Sequence, residues 1–255
     1  MKLASWNINS IRKRYPLVVK WIEKEKPDWL FLQEIKCQNE QFPKESFESL
    51  GYHCIVHGQK AYNGVAILSK HAYALNSTKL PTLTEEAEEA RYLEIESKNL
   101  TLCNLYLPNG NSGGEAGLLK KVKFCQALYN RAKDLLNEKQ NCIFAGDFNI
   151  CPNTMDYATN ALSLSDALVR PEIRDNFYKL LWLGLTDALR TFYPTQTIYT
   201  FWDYQHNAWA RNSGLRIDHI LISPRLAERL QDVIVDKNER EKNQPSDHVP
   251  VVVNF

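Results

Sequence analysis

Short apolar runs that each end in a polar side chain recur from one end of this chain to the other, and no other feature restricts its fold more. LASW leads into Asn7, WLFLQ into Glu34, LTLCNL into Tyr106, and CIFAG into Asp147 with Phe148 and Asn149 behind it. Asp218 sits inside RIDHILI, and Asp247 and His248 open the last run. Apolar runs of this length, bounded by turn residues, read as buried strands. The chain also begins and ends in such runs, KLASWNIN and HVPVVVNF, which predicts one compact domain over residues 1–255.

Helical spacing alternates with these strands. Leu17, Val18, Trp21 and Ile22 share one face of a helix that Pro27 stops. PKESFESLG at 43–51 reads as a short helix ending on Gly51. Leu118, Val122, Cys125, Leu128, Ala132 and Leu135 mark the clearest helix, over 115–138. Further helices are predicted at 171–183, 186–192 and 224–230. YHCIVHG with GVAILSK, and RYLEIES with LTLCNLYL, read as strand pairs, and TIYTFWDY, LRIDHILIS and VPVVVNF as the last strands. Hairpins and helical crossovers together argue against a purely parallel sheet. They predict an α/β fold of two packed mixed sheets with helices outside.

Composition narrows the function classes. Hydrophobic residues make up 44% of the 255, enough for a substantial core, and 24% are charged, as in a globular chain. The net charge of +1 argues against a protein that coats DNA, although a local basic face is not excluded. The cysteines at 37, 54, 103, 125, 142 and 151 form no Cys-x-x-Cys pair, so a zinc site is not expected and reduced core cysteines are. No run approaches the ~20 apolar residues of a membrane span, and MKLASWNIN has no signal core, so a cytoplasmic protein without a membrane partner is expected.

Strand ends far apart in sequence can meet on one rim of a sheet. A rim carrying carboxylates, amides, a phenol and a histidine suits hydrolysis, and its oxygen donors suit magnesium. Each residue also has a plainer reading. Glu34 reads as a surface residue, GDFN as a turn, and Asp247-His248 as a loop between prolines. Tyr106 reads as core, Asn7 as a helix cap, and Asp218 as a partner of Arg216 or Arg211.

Taken in order, WNIN, LQEIK, NGVAILSK, YLPNG, GDFN, GLRIDHILIS and SDHVPV resemble the exonuclease III group of abasic-site endonucleases. That group lies within the DNase I-like endonucleases, exonucleases and phosphatases, and the resemblance spans essentially the whole chain. It implies a four-layered sandwich and magnesium, with manganese as a possible substitute. Glu34 would be the principal metal ligand, with Asn7, Asp147, Asn149, Asp247 and His248 in the same pocket. Asp147 would activate the attacking water or protonate the leaving oxygen, and Tyr106 would contact the scissile phosphate. Asn149 would orient the nucleophile, and His248, held by Asp218, would donate to a phosphate oxygen.

The resemblance further implies hydrolysis 5′ to an abasic site in duplex DNA, with 3′→5′ exonuclease and 3′-phosphatase activity on blocked ends. Phe201, Leu215 and Ile217 match the apolar pocket for the flipped-out sugar, with Trp202 and Trp209 lining it or bracing its loop. Relatives place an aromatic where this chain has Leu215, which points to a looser pocket and stronger exonuclease action. Phosphate contacts are expected from Asn109, Lys36, Lys60, Arg91, Arg211 and Arg216. Lys120, Lys121 and Lys123 read as the solvated face of the long helix. NGNSGGEAG at 109–117 lacks the Gly-Lys-Ser/Thr ending of a nucleotide-phosphate loop and reads as flexible backbone near DNA. A monomer is expected. The rivals are a same-fold phosphodiesterase acting on RNA tails, inositol phosphates or sphingomyelin, and a DNA-binding protein without catalysis.

Overall fold

A computed structural model describes residues 1–83 and 89–255. Among the described residues, twelve strands form two six-stranded sheets. The first contains β1 (Lys2–Asn7), β2 (Trp29–Gln33), β3 (His53–His57), β4 (Val65–Ser69), β11 (Asp232–Val235) and β12 (Val251–Asn254), in the order β11-β12-β1-β2-β4-β3. The second contains β5 (Ala74–Ser77), β6 (Tyr92–Ser97), β7 (Leu100–Tyr106), β8 (Cys142–Asp147), β9 (Thr186–Asp187) and β10 (Asp218–Ile222), in the order β5-β6-β7-β8-β10-β9.

Each sheet is built around one parallel pair joined through a helix. α1 (Ile11–Glu25) links β1 to β2, and α3 (Glu115–Asn137) links β7 to β8. A parallel pair needs such a crossover, because a tight turn reverses the chain. Every other pairing is antiparallel, including β1 with β12, where Lys2 faces Asn254.

Strand alternation sorts the side chains into layers. Leu3, Phe31, Ile67, Leu102, Ile143, Ile220 and Val251 point between the sheets into one shared core. Their neighbours point outward. Trp6, Leu30 and Leu32 meet Val18, Trp21 and Ile22 of α1 and Phe47 of α2 (Lys44–Glu48). Cys103, Leu105 and Phe144 meet Phe124, Leu128 and Leu135 of α3 and Ile173 and Phe177 of α4 (Pro171–Trp182). Each fully buried Leu, Ile or Phe contributes about 1.5–3 kcal/mol relative to exposure. The result is the predicted four-layered sandwich.

A polar tie crosses the core between the sheets, directly beneath the rim described below. Gln33 of β2 donates through Nε2 to Asn104 Oδ1 of β7 at 2.7 Å, and Asn104 Nδ2 donates to the carbonyls of Leu32 and Ala66. Both side chains are fully buried, so a slip of one sheet against the other would strand amide groups without partners.

The expected strand TIYTFWDY does not form. Only Phe201 makes bridges, to Leu215 and to His248, and Thr200 spends its hydroxyl on the amides of Ile217 and Asp218. The segment thus fills the gap between β10 and the approach to β12 instead of joining a ladder. Residues 186–192 divide into β9 and α5 (Ala188–Phe192), because Asp187 caps the helix by accepting from the Arg190 amide.

Candidate active site

The C-terminal ends of both parallel pairs open on the same rim. Asn7 ends β1 opposite Gln33, so Glu34 follows at the tip of β2. Tyr106 and Asp147 end β7 and β8 in register, and Asp218 opens β10 opposite Asp147. Asp247 and His248 come just before β12, which runs antiparallel to β1 and so starts at this rim. The first sheet therefore brings Asn7, Glu34 and His248, and the second brings Tyr106, Asp147 and Asp218.

Two of these positions sit on unusual backbone. Glu34 has φ 49° and Asn149 φ 50°. A non-glycine residue in this left-handed region is disfavoured by about 1–2 kcal/mol, so it persists only where neighbours hold it. Around Glu34, its carbonyl accepts from the Ser10 amide at 2.7 Å, and the Ile35 and Lys36 amides donate to Gly64 and Asn63. At Asn149, its own amide donates to Asp147 Oδ1 at 2.9 Å. Both turns aim side chains inward that a continuing strand would alternate away.

The carboxylates are dense and dry. Glu34, Asp147 and His248 each place one donor atom within 4.8 Å of the others. Asn7 Nδ2 donates to Glu34 Oε1 and Asp147 Oδ2, both at 2.9 Å. Burial, then Asp218 and Glu34, push Asp147 up to about 7 against the pull of His248. Burial also works against the charged His248, but the Asp218 carboxylate overrides it and raises the imidazole to about 10. Burial likewise opposes ionisation of Glu34, yet Lys36, 2.8 Å from Oε2, and the Asn7 amide keep it below its ordinary value.

His248 is oriented on both sides. Nδ1 donates to Asp218 Oδ2 at 2.9 Å, which leaves Nε2 facing Asp147 Oδ2 at 3.8 Å. The Phe201 ring lies edge-on at 4.9 Å. Tyr106 carries the Arg91 guanidinium over its ring at 4.7 Å, and burial followed by the Glu34 and Asp147 charges pushes its phenol far up. Asn149 is held through Nδ2 to the Leu107 carbonyl and accepts from Asn109 Nδ2 at 3.1 Å.

Several expected residues stand elsewhere or face another way. Asn7 turns its nitrogen to the carboxylates, while its oxygen accepts from the Asn9 amide. Asp247 accepts from Asn9 Nδ2 at 3.0 Å and lies outside the three-residue cluster. Arg216 cannot meet DNA phosphate. It is 1% exposed and, in the segment before β10, bonds the Asp156 and Asp187 carboxylates. Trp202 is fully buried, donates to Asn212 Oδ1 and meets Trp209 edge-on at 4.8 Å, so the two tryptophans brace the loop. Leu215 and Ile217 pack with Cys151, Leu168 and Val169, and Phe201 covers them. Phe201, Leu215, Leu162, His206 and Arg211 line an open depression beside His248.

Lys121 is not part of a solvated face. It is fully buried, and burial lowers its ammonium to about 8. Asn9, Ser246, Gln33 and Asn104 also serve the rim and were not expected. Asn9 and Ser246 both bond Asp247, and the Ser246 hydroxyl donates to the Asn7 carbonyl at 2.7 Å. Asn9, in WNIN, lies close enough to Asn7 to have been found by motif. The buried amides carry no local signal.

The endonuclease/exonuclease/phosphatase family matches residues 4–248, and this chain belongs to it. Within that family it is 36% identical to exodeoxyribonuclease III of Haemophilus influenzae, over the full length of both chains. Among solved structures it is similar to an AP endonuclease from Archaeoglobus fulgidus, with TM-score 0.93 and 34% identity over 100% of this chain and 99% of that one. The 3′ phosphatase NExo from Neisseria, bound to a product DNA hairpin, is similar to the same degree, with TM-score 0.93, 35% identity and the same coverage.

Proposed function

We propose that this chain is a DNA-repair hydrolase that cleaves the phosphodiester 5′ to abasic sites in duplex DNA and also trims and dephosphorylates 3′ ends. The observation that carries the reading is the convergence of Glu34, Asp147 and the Asp218–His248 pair on one rim, in a chain similar to an exodeoxyribonuclease III, an AP endonuclease and a 3′ phosphatase.

The donor set fits a hard divalent cation. Glu34, Asp147, Asp218 and Asp247 bring four carboxylates to one rim beside Lys36 and His248, and burial first, then the Asp218 and Glu34 charges, raise Asp147. We assign magnesium, or manganese in its place, to Glu34 and Asp147, with Asn149, Asp247 and His248 around it. When bound, the ion would offset charge on the phosphate oxygens.

The chain's own groups supply the rest. Asp147, buried at the end of β8 and facing Nε2 of His248, takes the proton of an attacking water or gives one to the departing 3′ oxygen. His248, kept protonated by Asp218, donates from Nε2 to a phosphate oxygen. Asn149 and Tyr106 flank Asp147 and position the phosphate. Asn109, Lys36, Lys60, Arg91 and Arg211 bind flanking phosphates without reading sequence. Phe201, Leu215 and Ile217 receive the baseless sugar.

A second reading weights the same chemistry toward 3′ ends. It is favoured by Leu215, whose small side chain lines the depression beside His248, and by the likeness to NExo. We also assign a monomer acting as one domain over residues 1–255. Six unpaired cysteines suit a reducing compartment such as the cytoplasm. Among the described residues no helix is long and apolar enough to cross a membrane.

The test is an end-labelled duplex with one abasic analogue, incubated with magnesium or EDTA beside an intact duplex. One magnesium-dependent cut 5′ to the lesion, absent in Glu34→Ala, is expected. Equal shortening of the intact duplex from its 3′ ends would make the exonuclease the main activity. No change in either substrate would overturn both readings.

A further inference from the structure

Lys121 lies in the first half of α3 and is fully buried. An ammonium has three N–H donors and no acceptor, so burying one is unfavourable unless all three find partners. Here Nζ donates to the carbonyls of Asn149 at 2.6 Å, Asn109 at 2.8 Å and Ala167 at 3.1 Å.

Each carbonyl belongs to a different rim loop: the one after β7, the GDFN turn after β8, and the segment that leads toward α4. Packing of α3 on the sheet is already provided by Phe124, Leu128 and Leu135, so the helix has no need of a charge at 121. The loops also close around this side chain. Gly110 has φ 91°, and a Cβ there would stand 2.7 Å from Lys121 Cδ and 3.0 Å from Ala167 Cβ. Asn111 ties the same two loops, accepting from the Ala167 amide at 2.8 Å.

Above the ammonium, Asn109 Nδ2 donates to Asn149 Oδ1 at 3.1 Å. Both members of that pair thus have their main-chain carbonyls fixed by one buried atom. Asn149 is also the residue in left-handed conformation whose amide meets Asp147.

We propose that Lys121 is a positioning residue for phosphodiester cleavage, setting Asn149 and Asn109 relative to Asp147 through their main-chain carbonyls. The proposal rests on the nuclease reading given above. A misplacement on the order of 1 Å in such a group lowers a rate by roughly 100-fold, and Lys121→Met removes all three donors at similar side-chain length.

The experiment measures kcat and KM on the abasic duplex for wild type, Lys121→Met, Asn149→Ala and the double variant, with melting temperatures beside them. Lys121→Met is expected to lower kcat by roughly 30–100-fold with KM within about threefold. The double variant is expected to be no more than about threefold slower than the slower single variant, since both losses run through Asn149. An unchanged kcat in folded Lys121→Met, or losses that multiply in the double variant, would overturn the proposal. Lys121→Gln, which keeps two donors, is carried in parallel and is expected to fall between wild type and Lys121→Met. Loss of fold in both Lys121 variants would make the residue one of stability alone, and the proposal would fail. A wild type that leaves the duplex uncut would instead refute the nuclease reading, and this proposal with it.

Discussion

Asp218 accepts from Nδ1 of His248 at 2.9 Å, and this single contact decides which nitrogen of the imidazole faces the rim. A carboxylate in that place fixes both the tautomer and the charge. Asp218→Asn keeps the shape and removes the charge. We expect a fall of about 100-fold in single-turnover rate on the abasic duplex. The alkaline limb of the pH–rate profile should also move down by more than about one unit, because His248, raised to about 10 with Asp218 ionised, would lose its proton earlier. An alkaline limb that stays in place would show that His248 is not the proton donor.

Arg216 separates a structural role from a DNA contact. Its guanidinium bonds Asp156 and Asp187 in a buried network. Arg216→Ala should destabilise by about 3–5 kcal/mol, since it leaves buried Asp187 without its ion-pair partner and Asp156 with Arg190 alone. Urea denaturation measures this. Filter binding of duplex DNA at several salt concentrations should give an unchanged salt slope, whereas a phosphate contact would lower the slope by about one.

His219 links stability to pH. It lies between Phe148 and Phe177 and donates Nε2–H to the Ile150 carbonyl at 2.8 Å, while Nδ1 has no partner. Burial, then the Arg216 charge, lowers it from 6.5 to about 4. Its contribution is therefore complete above pH 6.5 and is lost as the pH falls through 4, worth up to about 3 kcal/mol. Wild type should lose more stability between pH 7 and pH 4.5 than His219→Gln in paired urea titrations. Parallel curves for the two proteins would remove His219 from the account.

Gly146, the first residue of GDFN, pairs with Leu105 across β8 and β7. A Cβ there would lie 1.9 Å from the Leu105 carbonyl oxygen, and φ is 150°. Gly146→Ala should destabilise by at least about 3 kcal/mol and lower the yield of folded protein. A melting temperature within a few degrees of wild type would mean that β7 and β8 part more easily than their pairing suggests.

The rim was legible because hydropathy exposes it. A run such as CIFAG that ends in Asp147 places a carboxylate where the core stops, and seven such segments in one order pointed to one family. Two packed mixed sheets followed from the mixture of crossovers and hairpins, and the four layers from the family resemblance. Lys121 and Arg216 were misplaced for a shared reason. Their burial is decided by partners far away in sequence, 46 residues at Ala167 and 60 at Asp156, so local composition reports a surface. TIYTFWDY has strand propensity, but the hydroxyl of Thr200 and the packing of Trp202 hold it outside the sheets. β5 and β11 are short edge strands, and short edges carry too little alternation to show.

The pairing of β1 with β12 has a consequence for synthesis. Of the described strands, β1 is the earliest made, it lies inside its sheet, and one of its two neighbours, β12, is the latest made. His248 arrives with that same strand. Throughout elongation, then, β1 has an open edge beside a half-built rim, and sealing the sheet and completing the reactive cluster are one event. A nascent chain should acquire compact structure gradually but nuclease activity all at once, after β12 has cleared the exit tunnel.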